Sequence, residues 1–192
     1  MSTHYFFIGL LKVLSAGLVG VSALIACSPT FNWRDVRPEE TSLRLLLPCK
    51  PDPTEKTVPL GGVPTTLRML SCEAGGATFA VVTANWNDAS TVEQVLAQWQ
   101  SVTLGNMQAR PIASGLSAGS DATHVIDLKL TGAAMVAPAV LLKAQGRRRD
   151  GSAVVSQMAF FARGSQIFQV VVYADGIRPE VSETLFSSLR FD

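Results

Sequence analysis

The sequence carries little charge and no excess of either sign. Only 16% of its 192 residues are charged, and 16 lysines and arginines oppose 15 aspartates and glutamates, so the formal net charge is +1. A domain that binds nucleic acid needs a concentrated positive potential, which this composition does not supply. We therefore expect no nucleic-acid partner.

Long apolar runs are confined to the N-terminus. After Lys12, residues 13–26 are almost wholly apolar and rich in small side chains, and they end in Leu24, Ile25, Ala26 and Cys27. This length fits the apolar region of a signal peptide, about 7–15 residues, better than a membrane span of about 20. We predict a signal peptide over residues 1–26. The alternative is an uncleaved anchor helix over residues 5–26.

The residues around Cys27 resemble the lipobox of bacterial lipoproteins. Leu24 stands at position −3, the small Ala26 at −1 and Cys27 at +1. The resemblance implies cleavage before Cys27 and attachment of lipid, including acyl chains such as palmitate, to that cysteine. Ser28 follows instead of aspartate, which in this pattern implies sorting to the outer membrane. The expected location is the bacterial cell envelope, lipid-anchored and facing the periplasm.

Cysteine and histidine are scarce in the rest of the chain. Cys49 and Cys72 form an even pair in an oxidising compartment, so we expect a disulfide, with two buried free thiols as the alternative. His124 is the only histidine after residue 26, and one histidine without a carboxylate or cysteine cluster has no known metal-ligand spacing. We predict no metal and no cofactor, and an ordinary histidine at a strand edge.

The first half of the mature chain alternates short strands with turns. Residues 27–42 are predicted to form a lipidated tether in which Trp33 docks on the domain edge. Strands are predicted at 43–47, 57–60, 66–72 and 78–83, with a loop at 50–55 and turns at Gly61-Gly62 and 74–76. Ser90 and Glu93 form a capping-box pattern, which predicts a helix over residues 91–104 with Trp99 at the centre of its apolar stripe. That stripe is predicted to comprise Val92, Val95, Leu96, Trp99, Val102 and Thr103.

The second half is predicted to be hairpins closed by one helix. A loop at 113–121 precedes strands at 125–131, 139–147, 153–163 and 166–173, of which the last two are apolar on both faces and so belong at the sheet centre. Pro179 suits the first position of a closing helix. Strands linked by hairpins with two separate helices define the α+β class. We predict one α+β domain over residues 43–192.

This order of elements, together with the terminal Leu185, Phe186, Ser187, Ser188, Leu189, Arg190 and Phe191, resembles the PsbP-like fold, which includes DcrB-like envelope lipoproteins. Leu46, Leu47, Pro48, Cys49, Lys50 and Pro51 also look like a segment of small proteobacterial lipoproteins. Proteins of that fold are mostly binding or assembly factors. The resemblance therefore implies no catalytic residue.

One segment matches a catalytic motif in its residue types but not in its predicted secondary structure. Gly115, Ser117 and Gly119 match the G-x-S-x-G nucleophile elbow, and Asp121 and His124 follow. An elbow requires a strand before the serine and a helix after it, whereas a strand is predicted to follow here. We interpret the segment as a flexible Gly/Ser loop and predict that the protein is not an enzyme.

Three consecutive arginines, Arg147, Arg148 and Arg149, lie at a predicted hairpin tip beside Asp150-Gly151. They are candidates for contact with a phosphate of lipid or of a partner, and the alternative is a solvated turn.

Two functions from different classes remain. The first is a non-catalytic module that binds an envelope protein or stabilises an assembly. The second is a carrier or sensor of a small apolar ligand, held in a pocket between helix and sheet behind Trp99.

Overall fold

In the part of the chain that the structure describes, the strands form two antiparallel sheets and pack with two helices. The structure, a computed structural model, describes residues 29–111, 126–127, 130 and 137–192. Within these residues the helices are separated along the chain by hairpins, which confirms the α+β class. In the described part of the chain, neither helix is long and apolar enough to cross a membrane.

The larger sheet is built almost entirely from hairpins. Its strands are β3 Asp52–Leu60, β4 Val63–Ala74, β5 Ala77–Asn85, β6 Arg110–Pro111, β7 Ile126–Asp127, β8 Val140–Arg147, β9 Ala153–Arg163 and β10 Gln166–Ala174. Their order in the sheet is β3-β4-β5-β10-β9-β8-β6, and β7 also pairs with β8. The predicted turns at Gly61-Gly62 and Gly75-Gly76 are confirmed, and all four glycines have the positive φ that such tight turns require.

Strands β9 and β10 lie in the middle of this sheet, as their two apolar faces predict. Side chains alternate along each strand, so neighbours enter different cores. In β5, Phe79 and Val81 belong to the core on one face, whereas Ala80 and Val82 belong to the core on the other. The sheet is therefore covered on both sides.

Helix α1, Val92–Asn106, covers one face of the sheet. The helix buries one stripe of its own side chains, as predicted: Val92, Val95, Leu96 and Trp99. Val102 was predicted to belong to this stripe, but it is 49% exposed. The capping prediction is also wrong. A 3₁₀ turn, Ala89–Thr91, precedes the helix, and the side chain of Asp88, not Ser90, caps that turn by accepting from the Ser90 N–H. Aspartate is as good a cap as serine, and one added turn moves the cap upstream.

The opposite face is covered by a small sheet and the closing helix. Strand β2, Leu43–Leu47, lies between β1, Arg34–Val36, and β11, Arg190–Phe191. Helix α2, Pro179–Ser187, begins with proline at its first position, as predicted. The rings of Phe161, Phe168 and Phe191 pack together with centroids 5.1–6.0 Å apart. These contacts join the small sheet to the centre of the large one.

Two segments that were predicted to be irregular are strands. Within the tether predicted for residues 27–42, Arg34–Val36 pairs with β2, so the folded part begins before residue 43. The loop predicted at 50–55 is corrected as well, because β3 begins at Asp52. Pro53 argued against a strand, yet β3 is an edge strand, where a missing N–H can face solvent without loss of a ladder hydrogen bond.

Candidate functional site

An open cleft lies at the end of the large sheet where β4 outruns β5. Arg68 of β4 pairs with Thr83 of β5, but the residues of β4 before Arg68 pair with β3 alone. Beyond Asn85 the chain follows β10 instead, and the Trp86 N–H donates to the Ser165 carbonyl at 2.6 Å. The resulting space has a volume of ≈ 510 Å³. Its lining residues are Val63, Pro64, Thr65, Thr66, Arg68, Asn85, Trp86, Asn87 and Asp88.

The register of the hairpin determines which backbone groups face this cleft. Gly61 and Gly62 both have positive φ, so Leu60 and Val63 flank a two-residue turn as a hydrogen-bonded pair. Pairs alternate along an antiparallel ladder, which places the backbone of Pro64 and Thr66 away from β3. The carbonyls of both residues and the N–H of Thr66 therefore point into the cleft, where no strand of the described chain pairs with them.

Trp86 forms a fixed wall of the cleft. Its indole N–H donates to Thr91 Oγ1 at 3.0 Å, and its ring lies against the turn at Gly61. A Cβ on Gly61 would come within 2.7 Å of the ring, so only glycine admits this contact. The Gly61 N–H also donates to Gln98 Oε1 of α1 at 2.9 Å. The hairpin tip is thus tied to the helix, and the width of the cleft is set by packing.

The charged groups of the cleft are occupied by partners within the chain. Arg68 donates to Glu55 at 2.8 Å and to Glu40 at 2.6 Å, and these hydrogen bonds and charges raise the pKa of the Arg68 guanidinium. Hydrogen bonds from the hydroxyl and N–H of Ser90 lower the pKa of Asp88. The lining residues include no histidine, cysteine or serine. The arrangement offers backbone hydrogen bonds and an aromatic wall.

The structure brings Cys49 and Cys72 together. Their sulfurs lie 2.09 Å apart and their Cα atoms 5.9 Å apart, within disulfide geometry. Cys49 follows β2 and Cys72 lies in β4, so the bond connects the small sheet to the large one. The predicted lipidation site, Cys27, lies outside the described residues. So do Ser117, Asp121 and His124 of the G-x-S-x-G segment.

The three arginines at residues 147–149 occupy the opposite end of the sheet from the cleft, and they are not equivalent. Arg148 forms an ion pair with Asp175 at 2.7 Å and donates to the Ala153 carbonyl at 2.8 Å, so it braces the β8–β9 turn. Arg147 and Arg149 are exposed. Arg147 donates to the Gly151 carbonyl at 2.8 Å, and Arg149 forms no ion pair with the residues that the structure describes.

Two aromatic residues, Trp86 and Phe31, have packing roles that were not predicted from the sequence. Trp86 lies between a predicted strand and a predicted helix, in a segment that was predicted only to connect them. Phe31 lies in the predicted tether, yet its ring packs on Gly75 of the β4–β5 turn and edge-to-face on Phe79, with centroids 6.4 Å apart. Trp33, predicted to dock on the domain edge, is half-buried with its ring centroid 6.0 Å from that of Phe31. Aromatic residues in an otherwise polar segment were the available signal.

Comparisons with known proteins add little to this description. No family model matches the chain, and no curated protein matches it. Among solved structures, the chain is similar to Pseudomonas aeruginosa PA94, described as a protein of unknown function and candidate regulator, with 17% identity and a TM-score of 0.36. The match covers 74% of this chain and 83% of that one. At this level of likeness, neither fold nor function is transferred.

Proposed function

We propose that this protein is a lipid-anchored module of the bacterial cell envelope that binds a protein partner and has no catalytic activity of its own. In this proposal Cys27 carries the lipid, the signal peptide of residues 1–26 is removed, and the domain faces the periplasm with a PsbP-like fold. The lipobox pattern at Leu24–Cys27 supports the anchor. A disulfide between Cys49 and Cys72 fits an oxidising compartment.

The observation that carries the binding role is the unpaired edge of β4 in the cleft. An extended segment of another protein can add to a free strand edge by backbone hydrogen bonds, while side-chain pockets give specificity. The carbonyls of Pro64 and Thr66 and the N–H of Thr66 offer such bonds, and the Trp86 ring offers an apolar wall beside them. The partner in this proposal is therefore an extended polypeptide segment of a few residues.

The outer edge of the same sheet makes a useful contrast. The alternation of pairs places the backbone of Pro53 and Pro59 on the outer side of β3, where neither residue has an N–H to offer. Glu55 and Lys56 add exposed charges along this strand. Prolines and charges are the usual devices that prevent edge pairing. The outer edge is thus protected, whereas the cleft leaves the donor of Thr66 available.

The carrier function has less support. The region beneath α1 is filled by side chains, since Trp99 is 5% exposed and packs edge-to-face on Phe160 with centroids 6.0 Å apart. Met158, Leu142 and Val171 are fully or almost fully buried in the same core. A ligand behind Trp99 would have to displace these side chains from a close-packed interior.

The anchor is tested by metabolic labelling. Labelled palmitate should enter the wild-type protein and fail to enter Cys27→Ala, because only the cysteine at the lipobox can accept it. Equal labelling of both proteins would refute the anchor.

The binding surface is tested by site-specific photo-crosslinking in native envelopes. A photoreactive residue at Asn87, an exposed lining position, should give a discrete adduct, and the same residue at the exposed Glu183 of α2 should not. Thr66→Pro removes the N–H that faces the cleft and should abolish the adduct, whereas Thr66→Ala keeps it and should not. An adduct that survives Thr66→Pro would refute strand addition at this site.

A further inference from the structure

One end of the large sheet collects four features that are far apart in the sequence. The β4–β5 turn, the β8–β9 turn and the end of β10 lie side by side there, because Ala74 pairs with Ala77, and Ala174 of β10 pairs with both Ala77 and Val155. The fourth feature is the point where the described chain begins, at residues 29–31. We call this the turn end of the sheet, and the cleft lies at the other end.

Packing of Phe31 against Gly75 and Arg178 fixes the start of the described chain to the turn end. We call this set of contacts the Phe31 lock. The Phe31 ring packs against Gly75 so closely that a Cβ there would come within 2.5 Å of it. The Arg178 guanidinium lies 4.7 Å from the centroid of the same ring, a cation–π contact. The Asn32 N–H donates to the Pro48 carbonyl at 2.8 Å. The chain is therefore fixed to the domain from Phe31 onward, well before the predicted tether ends at residue 42.

This lock leaves very little chain between domain and anchor. Four Cα–Cα steps separate Cys27 from Phe31, and even a fully extended chain spans at most about 14 Å over that distance. Strand β4 alone has 12 residues, which at about 3.3 Å per residue gives roughly 40 Å from one end of the sheet to the other. With so short a connection, the domain cannot present its far end to the membrane.

The turn end also carries Arg147 and Arg149, which form no ion pair with the residues that the structure describes. Only β10 lies between β5 and β9, so the centres of the β4–β5 and β8–β9 turns are three strand spacings, about 14 Å, apart. Asp175, at the end of β10, holds the β8–β9 turn in place through its ion pair with Arg148. Arg147 and Arg149 are exposed on this turn. An arginine near an anionic membrane surface favours contact by about 1 kcal/mol, roughly a factor of five.

We infer that the turn end rests on the membrane that holds the Cys27 lipid, with Arg147 and Arg149 in contact with anionic lipid phosphates and the cleft directed away from the bilayer. This inference rests on the proposed lipid anchor. It assigns an orientation to the domain, and it assigns a role to two of the three arginines and a positioning role to Phe31.

The orientation is tested on the full lipidated protein reconstituted in phosphatidylethanolamine vesicles with a headgroup spin label, with and without phosphatidylglycerol. A fluorophore is attached after disulfide formation at Ala153→Cys, exposed at the turn end, or at Val63→Cys, 53% exposed at the cleft end. Quenching should be strong at residue 153 and weak at residue 63. It should rise with phosphatidylglycerol at residue 153 only, and Arg147→Gln/Arg149→Gln should remove that rise.

The lock is tested by two matched glycine variants. Gly75 and Gly76 both have positive φ, so alanine strains the backbone at either position, but only at Gly75 does its Cβ collide with Phe31. Gly75→Ala should reduce quenching at residue 153 and Gly76→Ala should not. Phe31→Ala provides a second release of the lock if Gly75→Ala fails to fold by circular dichroism.

The outcomes separate the two proposals. A protein that does not float with the vesicles refutes the lipid anchor, and the orientation with it. A protein that floats but is quenched equally at residues 63 and 153 refutes the orientation alone. Quenching at residue 153 that ignores phosphatidylglycerol and the arginine substitutions refutes the assigned contact with anionic lipid.

Discussion

Replacement of Trp99 by alanine offers the most direct measurement of how the helix α1 is held on the sheet. Trp99 lies at the centre of the buried stripe of α1 and is 5% exposed. It contacts Phe160 of β9 edge-to-face. Trp99→Ala removes most of a side chain that fills the space between the helix and the central strands.

The expected loss follows from burial and from the cavity that remains. Truncation of a buried tryptophan or phenylalanine to alanine costs about 3–5 kcal/mol, of which an edge-to-face aromatic pair contributes roughly 0.5–1.5 kcal/mol. The floor of this region is β9, a central strand bonded on both sides, so the neighbours cannot collapse freely into the space. We therefore expect a loss of about 4 kcal/mol in the free energy of unfolding.

The measurement is urea denaturation of the oxidised protein, followed by far-ultraviolet circular dichroism because the substitution removes a fluorophore. Val102→Ala is the matched control on the same helix, and since Val102 is 49% exposed its loss should stay within about 0.5 kcal/mol. A loss below about 1 kcal/mol for Trp99→Ala would show that the indole is not a buried anchor and would refute the packing described here.

Three further predictions concern other parts of the chain. The double variant Cys49→Ser/Cys72→Ser should lose about 3 kcal/mol of stability, because the bond restricts the unfolded chain; native protein whose two thiols both alkylate would contradict the bond. Burial raises the pKa of Tyr173 to about 12, so its contribution to stability is complete below the unfolded value near 10 and is lost as pH rises toward 12. Absorbance titration should show this late ionisation, Tyr173→Phe should remove that part of the alkaline loss, and ionisation near pH 10 in folded protein would disprove the burial. A fluorophosphonate probe should not label Ser117, and stoichiometric labelling that His124→Ala abolishes would overturn the non-catalytic proposal.

The central strands were predictable because their signal is local. The predicted strand at 153–163 agrees with β9 at both ends, and the one at 166–173 is one residue short of β10. Both faces of these strands are apolar, and only a strand covered on both sides can bury them. The pairing of Cys49 with Cys72 was predicted from the even number of remaining cysteines and from an expected oxidising compartment. Local composition was sufficient in each case.

Whether an edge segment forms a strand depends on its pairing partner, which cannot be identified from the local sequence. β1 has only three residues, and it becomes a strand because β2 supplies its hydrogen bonds. Pro53 suggested a loop, but its effect depends on whether the N–H side of that position faces a neighbour, which is a matter of register. The helix cap was displaced by one 3₁₀ turn for a similar reason, since Asp88 and Ser90 are equally good caps in isolation.

The cleft is a property of pairing and not of any motif. It exists because β4 has 12 residues and β5 has nine, and because β5 leaves β4 after Thr83 to follow β10. The two Gly-Gly turns at either end of β4 were predicted, so the length of this strand could be predicted in part from the sequence. The separation of β5 from β4 could not be predicted, because it depends on the hydrogen bond from the Trp86 N–H to the Ser165 carbonyl.

The position of β2 has a consequence for how the protein folds. This strand lies between β1, which precedes it closely in the chain, and β11, where Phe191 pairs with Leu43. Contacts between residues so distant in sequence close slowly, because the entropy of the intervening loop is lost before the contact is gained. A chain that becomes available for folding from its N-terminus must therefore keep Leu43, Leu45 and Leu47 incompletely covered until residues 190–191 can pair with β2. During that interval β2 exposes apolar surface and an unpaired edge, both of which favour aggregation.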